Sequence, residues 1–184
     1  LILLSHCSMK LKKMNTQIVV SSVTGNTLKV AKAIFESLVN SNKVDKCALV
    51  KVEDYKNSDD FENVLVGFWL DSGHADIKAL EVIKSLKDKK VGIFGTLGGR
   101  PDSKGAFEVM QKTCESLDKS NVLLGNMFIQ GKVSSEVLER MYVAFPHLKD
   151  DENHQKRIKE AATHPDATDL EMAAMTARKW LENL

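Results

Sequence analysis

Hydrophobic residues in this chain alternate between short continuous runs and positions spaced three and four residues apart. The continuous runs predict five buried strands, at Gln17–Ser22, Cys47–Val52, Val64–Trp69, Val91–Gly95 and Val122–Gln130. The spaced positions between them predict helices at Gly25–Asn40, Ala75–Leu86 and Ala106–Leu117. Strands that are apolar throughout and alternate with helices are typical of a parallel sheet covered on both faces. The pattern therefore predicts an α/β domain.

The chain after the fifth strand is more polar. Its spacing predicts short helices at Ser134–Tyr142 and Glu152–Thr163, followed by a last helix at Leu170–Asn183. Asp166 or Thr168 can cap that last helix, because both residue types are favoured at helix starts. We expect the last helix to cover the sheet with an apolar face formed by Met172, Ala173, Met175, Ala177, Trp180 and Leu181.

The segment between the first strand and the first helix is rich in hydrogen-bond donors. Its residues are Ser22, Val23, Thr24, Gly25, Asn26 and Thr27. The first N–H groups of a helix lack intrahelical partners and lie at the positive end of its dipole, so a phosphate can bind there. Gly25 permits a positive φ, while the hydroxyls and the amide add donors. An ordinary serine or threonine N-cap would explain the same residues. The glycine patterns of P-loops and of Rossmann dinucleotide sites are absent.

This S-x-T-G-N-T motif resembles the phosphate loop of the flavodoxin family, which holds the phosphate of FMN. The resemblance implies a doubly wound, five-stranded parallel sheet with strand order 2-1-3-4-5. The predicted flavodoxin-like domain extends from residue 15 to residue 184. We expect residues 1–14 to be an N-terminal extension that is not necessarily native, because the strand pattern starts only after Met14.

The ends of the third and fourth strands complete the predicted cofactor site. Ligands of such sheets bind outside the carboxyl ends of the strands, where the strand order reverses. An indole can stack on a flavin, and backbone N–H groups of a glycine-rich loop can bond the polar edge of its ring. The residues predicted to do this are Trp69, Leu70, Asp71, Gly73, Thr96, Leu97, Gly98 and Gly99. Burial of Trp69 in the core, and a plain turn at the two glycines, are the alternatives.

Two longer segments are also similar to a small bacterial subgroup of flavodoxin-like proteins that accompanies a bilirubin reductase. They read G-F-W-L-D-S-G-H-A-D and G-I-F-G-T-L-G-G-R-P-D-S. The resemblance implies an FMN-dependent carrier that shuttles electrons from a reductase to an acceptor enzyme. An FMN-dependent NAD(P)H oxidoreductase acting on quinones or other small acceptors is the alternative, and a flavin-free binding module is a third hypothesis.

The composition of the chain limits the classes of partner and site that we expect. The formal net charge is +1 and no long basic block occurs, so nucleic acid is not an expected partner. The apolar run Leu1–Leu4 is too short for a membrane span. Three cysteines without a C-x-x-C pattern, and histidines without ligand spacing, predict a reducing cytoplasm and no metal site. We expect a monomer or a weak homodimer.

The long stretch from Gly131 to Thr168 departs from ordinary short flavodoxins, in which the last strand leads quickly to the last helix. Its charged helices suggest a surface on which a redox partner docks.

Overall fold

A parallel sheet forms the centre of the fold. The computed structural model describes residues 14–41 and 44–182. Its strands are β1 (Asn15–Val20), β2 (Lys46–Lys51), β3 (Asn63–Asp71), β4 (His74–Ala75), β5 (Lys90–Leu97) and β6 (Val122–Gln130). The five long strands are parallel in the order β2-β1-β3-β5-β6, and the short β4 pairs antiparallel with β3. Numbered among themselves, the long strands follow the predicted order 2-1-3-4-5.

Helices cover both faces of this sheet. They are α1 (Asn26–Val39), α2 (Ile77–Ser85), α3 (Lys104–Glu115), α4 (Ser135–Ala144), α5 (Glu152–Ala161) and α6 (Ala167–Glu182), with 3-10 turns at Val52–Asp54 and Pro146–Lys149. Successive strand residues point to opposite faces, so Ile18 joins the core under α1 and α6 while Val19 joins the core under α2 and α3. The fold is therefore doubly wound.

The last helix begins earlier than predicted and buries a narrower face. Ala173, Ala177 and Leu181 are buried at four-residue spacing, whereas Met172 and Met175 are 53% and 43% exposed. The prediction that both methionines face the sheet was wrong. The small alanines let α6 approach α1 closely, which leaves the methionines on the outer side.

The side chain of Trp180 explains why β6 contains a glycine, Gly125. A Cβ on Gly125 would overlap the indole of Trp180, and a Cβ on Gly92 of the neighbouring strand would lie 2.7 Å from it. The pairing register also shifts here, because Gly92 pairs with Gly125 while Val91 pairs with Leu123. Both glycines therefore make room for the indole of α6.

Asp166 is the residue that caps α6. Its carboxylate accepts a hydrogen bond from the Asp169 N–H at 2.9 Å, and Asp169 accepts one from the Asp166 N–H at the same distance. The predicted N-terminal extension, apart from Met14, lies outside the described residues, as does Asn183. Within the described ranges, no helix is both long and apolar enough to cross a bilayer.

Candidate functional site

The carboxyl ends of β1, β3 and β5 border a cleft of about 690 Å³. Each of the three predicted loops contributes to its lining, through Val23, Thr24, Asn26, Trp69, Leu70, Thr96, Leu97, Gly98 and Gly99. Segments far apart in the sequence thus meet at the edge of the sheet where ligands of this architecture bind.

The loop before α1 ends in a glycine with a left-handed backbone. Gly25 is the N-cap residue, has φ +91°, and offers no side chain to cap the helix. Ser22 Oγ accepts a hydrogen bond from the Leu28 N–H at 3.3 Å, so its own hydroxyl proton stays available. The N–H groups of Asn26 and Thr27 belong to the first turn, where no helical carbonyl precedes them. That turn contains no acidic residue, so nothing in it repels an anion.

Thr27 ties this loop to β5 rather than lining the cleft. Its hydroxyl oxygen lies 2.8 Å from that of Thr96, and both residues are buried. If Thr96 donates in this pair, Thr27 keeps its own proton for an acceptor in the loop. The contact fixes the distance between two of the predicted loops.

The side chain of Asn26 has a structural partner. Its Nδ2 donates to the carbonyl oxygen of Lys132 at 2.8 Å and, more weakly, to Thr24 Oγ1 at 3.4 Å. A Cβ on Gly131 would lie 2.8 Å from that nitrogen, so the glycine permits the approach. The amide hydrogens that we expected to meet a phosphate hold the connection after β6 against the loop instead.

The end of β3 turns back sharply as a hairpin. Asp71 pairs with His74 across a two-residue turn, in which Ser72 has φ +49° and Gly73 has φ +85°. Two successive positive φ values are the signature of a type I′ turn. Asp71 and Gly73 are exposed on this hairpin and do not line the cleft, whereas Trp69 and Leu70 at its base do.

A buried carboxylate anchors that hairpin. Asp76 is 4% exposed and accepts hydrogen bonds from the Ser21 hydroxyl at 2.7 Å, the Ala79 N–H at 3.2 Å and the Trp69 N–H at 3.3 Å. It therefore joins the end of β1, the backbone of β3 and the start of α2. Trp69 is only partly buried, which argues against the alternative of a plain core residue.

The position of Gly98, the first glycine after β5, requires a glycine because of close packing and not because of its backbone angle. A Cβ on Gly98 would overlap the side chain of Val133, whereas a Cβ on Gly99 would meet only Leu97, at 3.8 Å. Gly98 has no positive φ. It lets the segment after β6 cross over the end of β5.

Sequence reasoning missed the opposite wall of the cleft, which comes from the stretch that we expected to be a docking surface. Its residues are Lys132, Val133, Ser134, Glu136, Val137, Arg140, Met141, His154, Arg157 and Ile158. On α4 and α5 they recur three and four residues apart, a signal that the surrounding charges obscured. Three of them are basic and one is acidic, so this wall carries positive charge.

The charges next to the β5 loop compensate one another. Arg100 donates to Asp102 at 2.7 and 3.0 Å, and this hydrogen-bonded guanidinium lowers the pKa of the Asp102 carboxyl. Both groups are exposed, so the pair adds little net field to the cleft.

Comparisons of this sequence with protein families and with known proteins all indicate the same kind of domain. A family model described as a flavodoxin domain matches residues 17–178. A flavodoxin-like domain-containing protein BilS from Clostridioides difficile (strain CD3) is 29% identical over 174 residues, which cover 91% of this chain and 97% of the relative. A protein with the same description from Clostridium symbiosum (strain WAL-14163) is also 29% identical, with 85% and 90% covered.

Solved structures resemble the fold at low sequence identity. A two-electron reduced flavodoxin from Megasphaera elsdenii has a TM-score of 0.52 at 20% identity, with 89% of this chain and 98% of that chain covered. A flavodoxin from Streptococcus pneumoniae TIGR4 has a TM-score of 0.55 at 13% identity, with 92% and 99% covered. These similarities show the architecture of the chain.

Proposed function

We propose that this chain, which belongs to the flavodoxin domain family, binds FMN in its cleft and carries electrons from a reductase to an acceptor enzyme. Family membership implies a flavin, and FMN is the form that a single phosphate loop would hold. Bound FMN would supply the redox chemistry, while the protein binds and orients it.

One observation carries this proposal: the start of α1, whose N-cap residue is a glycine, opens into the same cleft as Trp69 and the Thr96–Gly99 loop. Ser22 Oγ accepts only the Leu28 N–H of the first turn and Gly25 has no side chain, so the N–H groups of Asn26 and Thr27 are left for a ligand. A phosphate donor set and a flat stacking surface in one cleft fit a molecule with a phosphate at one end and a planar ring at the other.

The phosphate end would be held by neutral donors. The hydroxyls of Ser22 and Thr24 and the N–H groups from Gly25 to Thr27 surround the start of α1, where the helix dipole favours an anion. Val23 is 74% exposed beside them and would cover the chain that links phosphate to ring.

The ring end would lie between two loops. Trp69 would stack on the ring and Leu70 would add apolar contact, while the N–H groups from Leu97 to Gly99 would donate to its polar edge. The hairpin with Asp71 and Gly73 would lie beside the ring and shield it from water on that side.

The redox partners would be a reductase and an acceptor enzyme in the cytoplasm, with the chain acting as a monomer or weak homodimer. Cys47 and Cys114 are free thiols, and burial raises the pKa of Cys47 to about 11. Unpaired, unreactive cysteines are consistent with a reducing compartment.

A stepwise reduction tests whether the protein acts as a one-electron carrier. We would load the purified protein with FMN and add dithionite under anaerobic conditions, following the visible spectrum. A one-electron carrier is expected to accumulate the one-electron-reduced form before full reduction. Direct bleaching to the two-electron form, together with catalytic oxidation of NAD(P)H, would contradict the carrier and support the alternative, an FMN-dependent NAD(P)H oxidoreductase.

A further inference from the structure

The wall formed by α4 and α5 faces the strand ends across the cleft. We propose that it is a second ligand subsite, which takes a planar organic molecule bearing a carboxylate or another oxyanion. This inference rests on the proposed function, because the subsite would lie beside the flavin and would select which small molecules reach it.

The centre of this wall is apolar. Val137 and Met141 are one turn apart on α4, and Ile158 lies on α5; all three line the cleft. Trp69 lines the same cleft from the strand side. With the flavin ring stacked on Trp69, a flat apolar body can be enclosed between that ring and the wall formed by α4 and α5.

Two arginines border the apolar centre. Arg140 precedes Met141 and Arg157 precedes Ile158, and both line the cleft. Across residues 14–41 and 44–182, neither guanidinium forms an ion pair or a hydrogen bond; Glu136 and Asp151 act on them only through longer-range charge. A guanidinium fork matches the two oxygens of a carboxylate, so two uncommitted forks favour an organic anion.

These arginines are separate from the phosphate donors. The segment that leads into α4 touches the phosphate loop, because Asn26 Nδ2 donates to the Lys132 carbonyl at 2.8 Å. Arg140 follows Ser134 by six residues, which places it roughly 9 Å further along the helix. The phosphate loop already has neutral donors of its own, so the arginines are available for a second anion.

His154 provides an independent observation. Its side chain lines the cleft on the same face of α5 as Arg157 and Ile158, and the residue is only 7% exposed. Its Nε2 has no hydrogen-bond partner among the described residues, although the ring packs edge-on against Tyr142 at 5.8 Å. A buried ring nitrogen without a partner is unfavourable, so the imidazole gains a hydrogen bond if it turns towards an oxygen of a bound ligand.

Matched aromatic probes test this subsite. We would titrate the FMN-loaded protein with 2-naphthoate and with neutral 2-naphthamide by calorimetry. We expect 2-naphthoate to bind about tenfold more tightly, and Arg140→Gln/Arg157→Gln to abolish that preference. A second variant, His154→Phe, keeps the ring packing against Tyr142 and should weaken 2-naphthoate binding several-fold.

The matched control is Lys156→Gln/Lys159→Gln, which removes the same charge from exposed positions of α5 outside the cleft. It should keep the preference, and the FMN dissociation constant should stay within about twofold in every variant. Equal binding of both probes by the natural protein, or equal loss in the lysine control, would overturn the subsite. So would a tenfold weaker FMN affinity in the arginine variant, because the arginines would then serve the cofactor. If the protein binds no FMN, the proposed function fails, and the same titrations on the flavin-free protein still decide the subsite.

Discussion

At the scale of single residues, two glycines shape the cleft for different physical reasons. Gly25 adopts φ +91° and thereby exposes the first turn of α1. Gly98 has an ordinary backbone but lies against Val133, which leaves no space for a methyl group. The motif around Gly25 is readable from sequence, because turn geometry is local. The need for Gly98 is not, because Val133 lies 35 residues further along the chain.

Substituting Gly98 with alanine should displace Val133 and the start of α4 from the end of β5. We expect Gly98→Ala to lower the free energy of unfolding by about 1–3 kcal/mol, as overpacking does. It should also weaken FMN binding by roughly tenfold, because the cleft wall shifts. Urea unfolding and a flavin fluorescence titration measure the two effects.

Gly99→Ala is the matched control, since its Cβ would meet only Leu97 at an ordinary distance. It should change the free energy of unfolding by less than about 0.5 kcal/mol. The double variant Gly98→Ala/Val133→Ala should recover most of the loss. Equal effects of the two alanines would refute the packing explanation.

At the scale of elements, hydrophobic periodicity predicted most of the sheet and its helices. Buried strands such as β3 contain a continuous apolar run, so their positions follow from the sequence. The width of the buried face of α6 does not follow, because it depends on how closely α1 approaches. The role of α4 and α5 was also hidden, since only one face of each lines the cleft and charges cover the rest.

The junction between α5 and α6 should respond to pH. His164 Nδ1 lies 2.5 Å from Asp169 Oδ2, and this hydrogen bond raises the pKa of the imidazole above its ordinary 6.5; Asp166 and Glu160 add to the shift. A raised pKa in the folded protein means that the stabilisation is complete below about pH 6.5 and is lost as the pH rises through the folded value. The urea midpoint should therefore decrease as the pH is raised above about 6.5.

His164→Gln isolates this contribution, because other groups also titrate. The difference in urea midpoint between the natural protein and the variant should be largest at the acidic end and shrink towards the alkaline end. A difference that is constant with pH would show that the protonated pair does not stabilise the junction.

At the scale of the whole molecule, the fold and the family agree with the resemblance that the first loop suggested. Parallel strands bring their carboxyl ends to one edge, so a loop after β1 and loops after β3 and β5 meet whatever their separation in sequence. That rule predicts a cleft at this edge of the sheet, but it does not predict which segment forms the opposite wall. The long connection after β6 closes it here, and its positive charge distinguishes this cleft from one held by neutral loops alone.

In the proposed complex, the start of α1 holds the phosphate of FMN. The most direct measurement is a fluorescence titration of the flavin-free protein with FMN and, separately, with riboflavin, which has the same ring without the phosphate. Several hydrogen bonds to a charged phosphate should make FMN bind roughly a hundredfold more tightly. Equal affinity for the two flavins, or binding of neither, would contradict the claim.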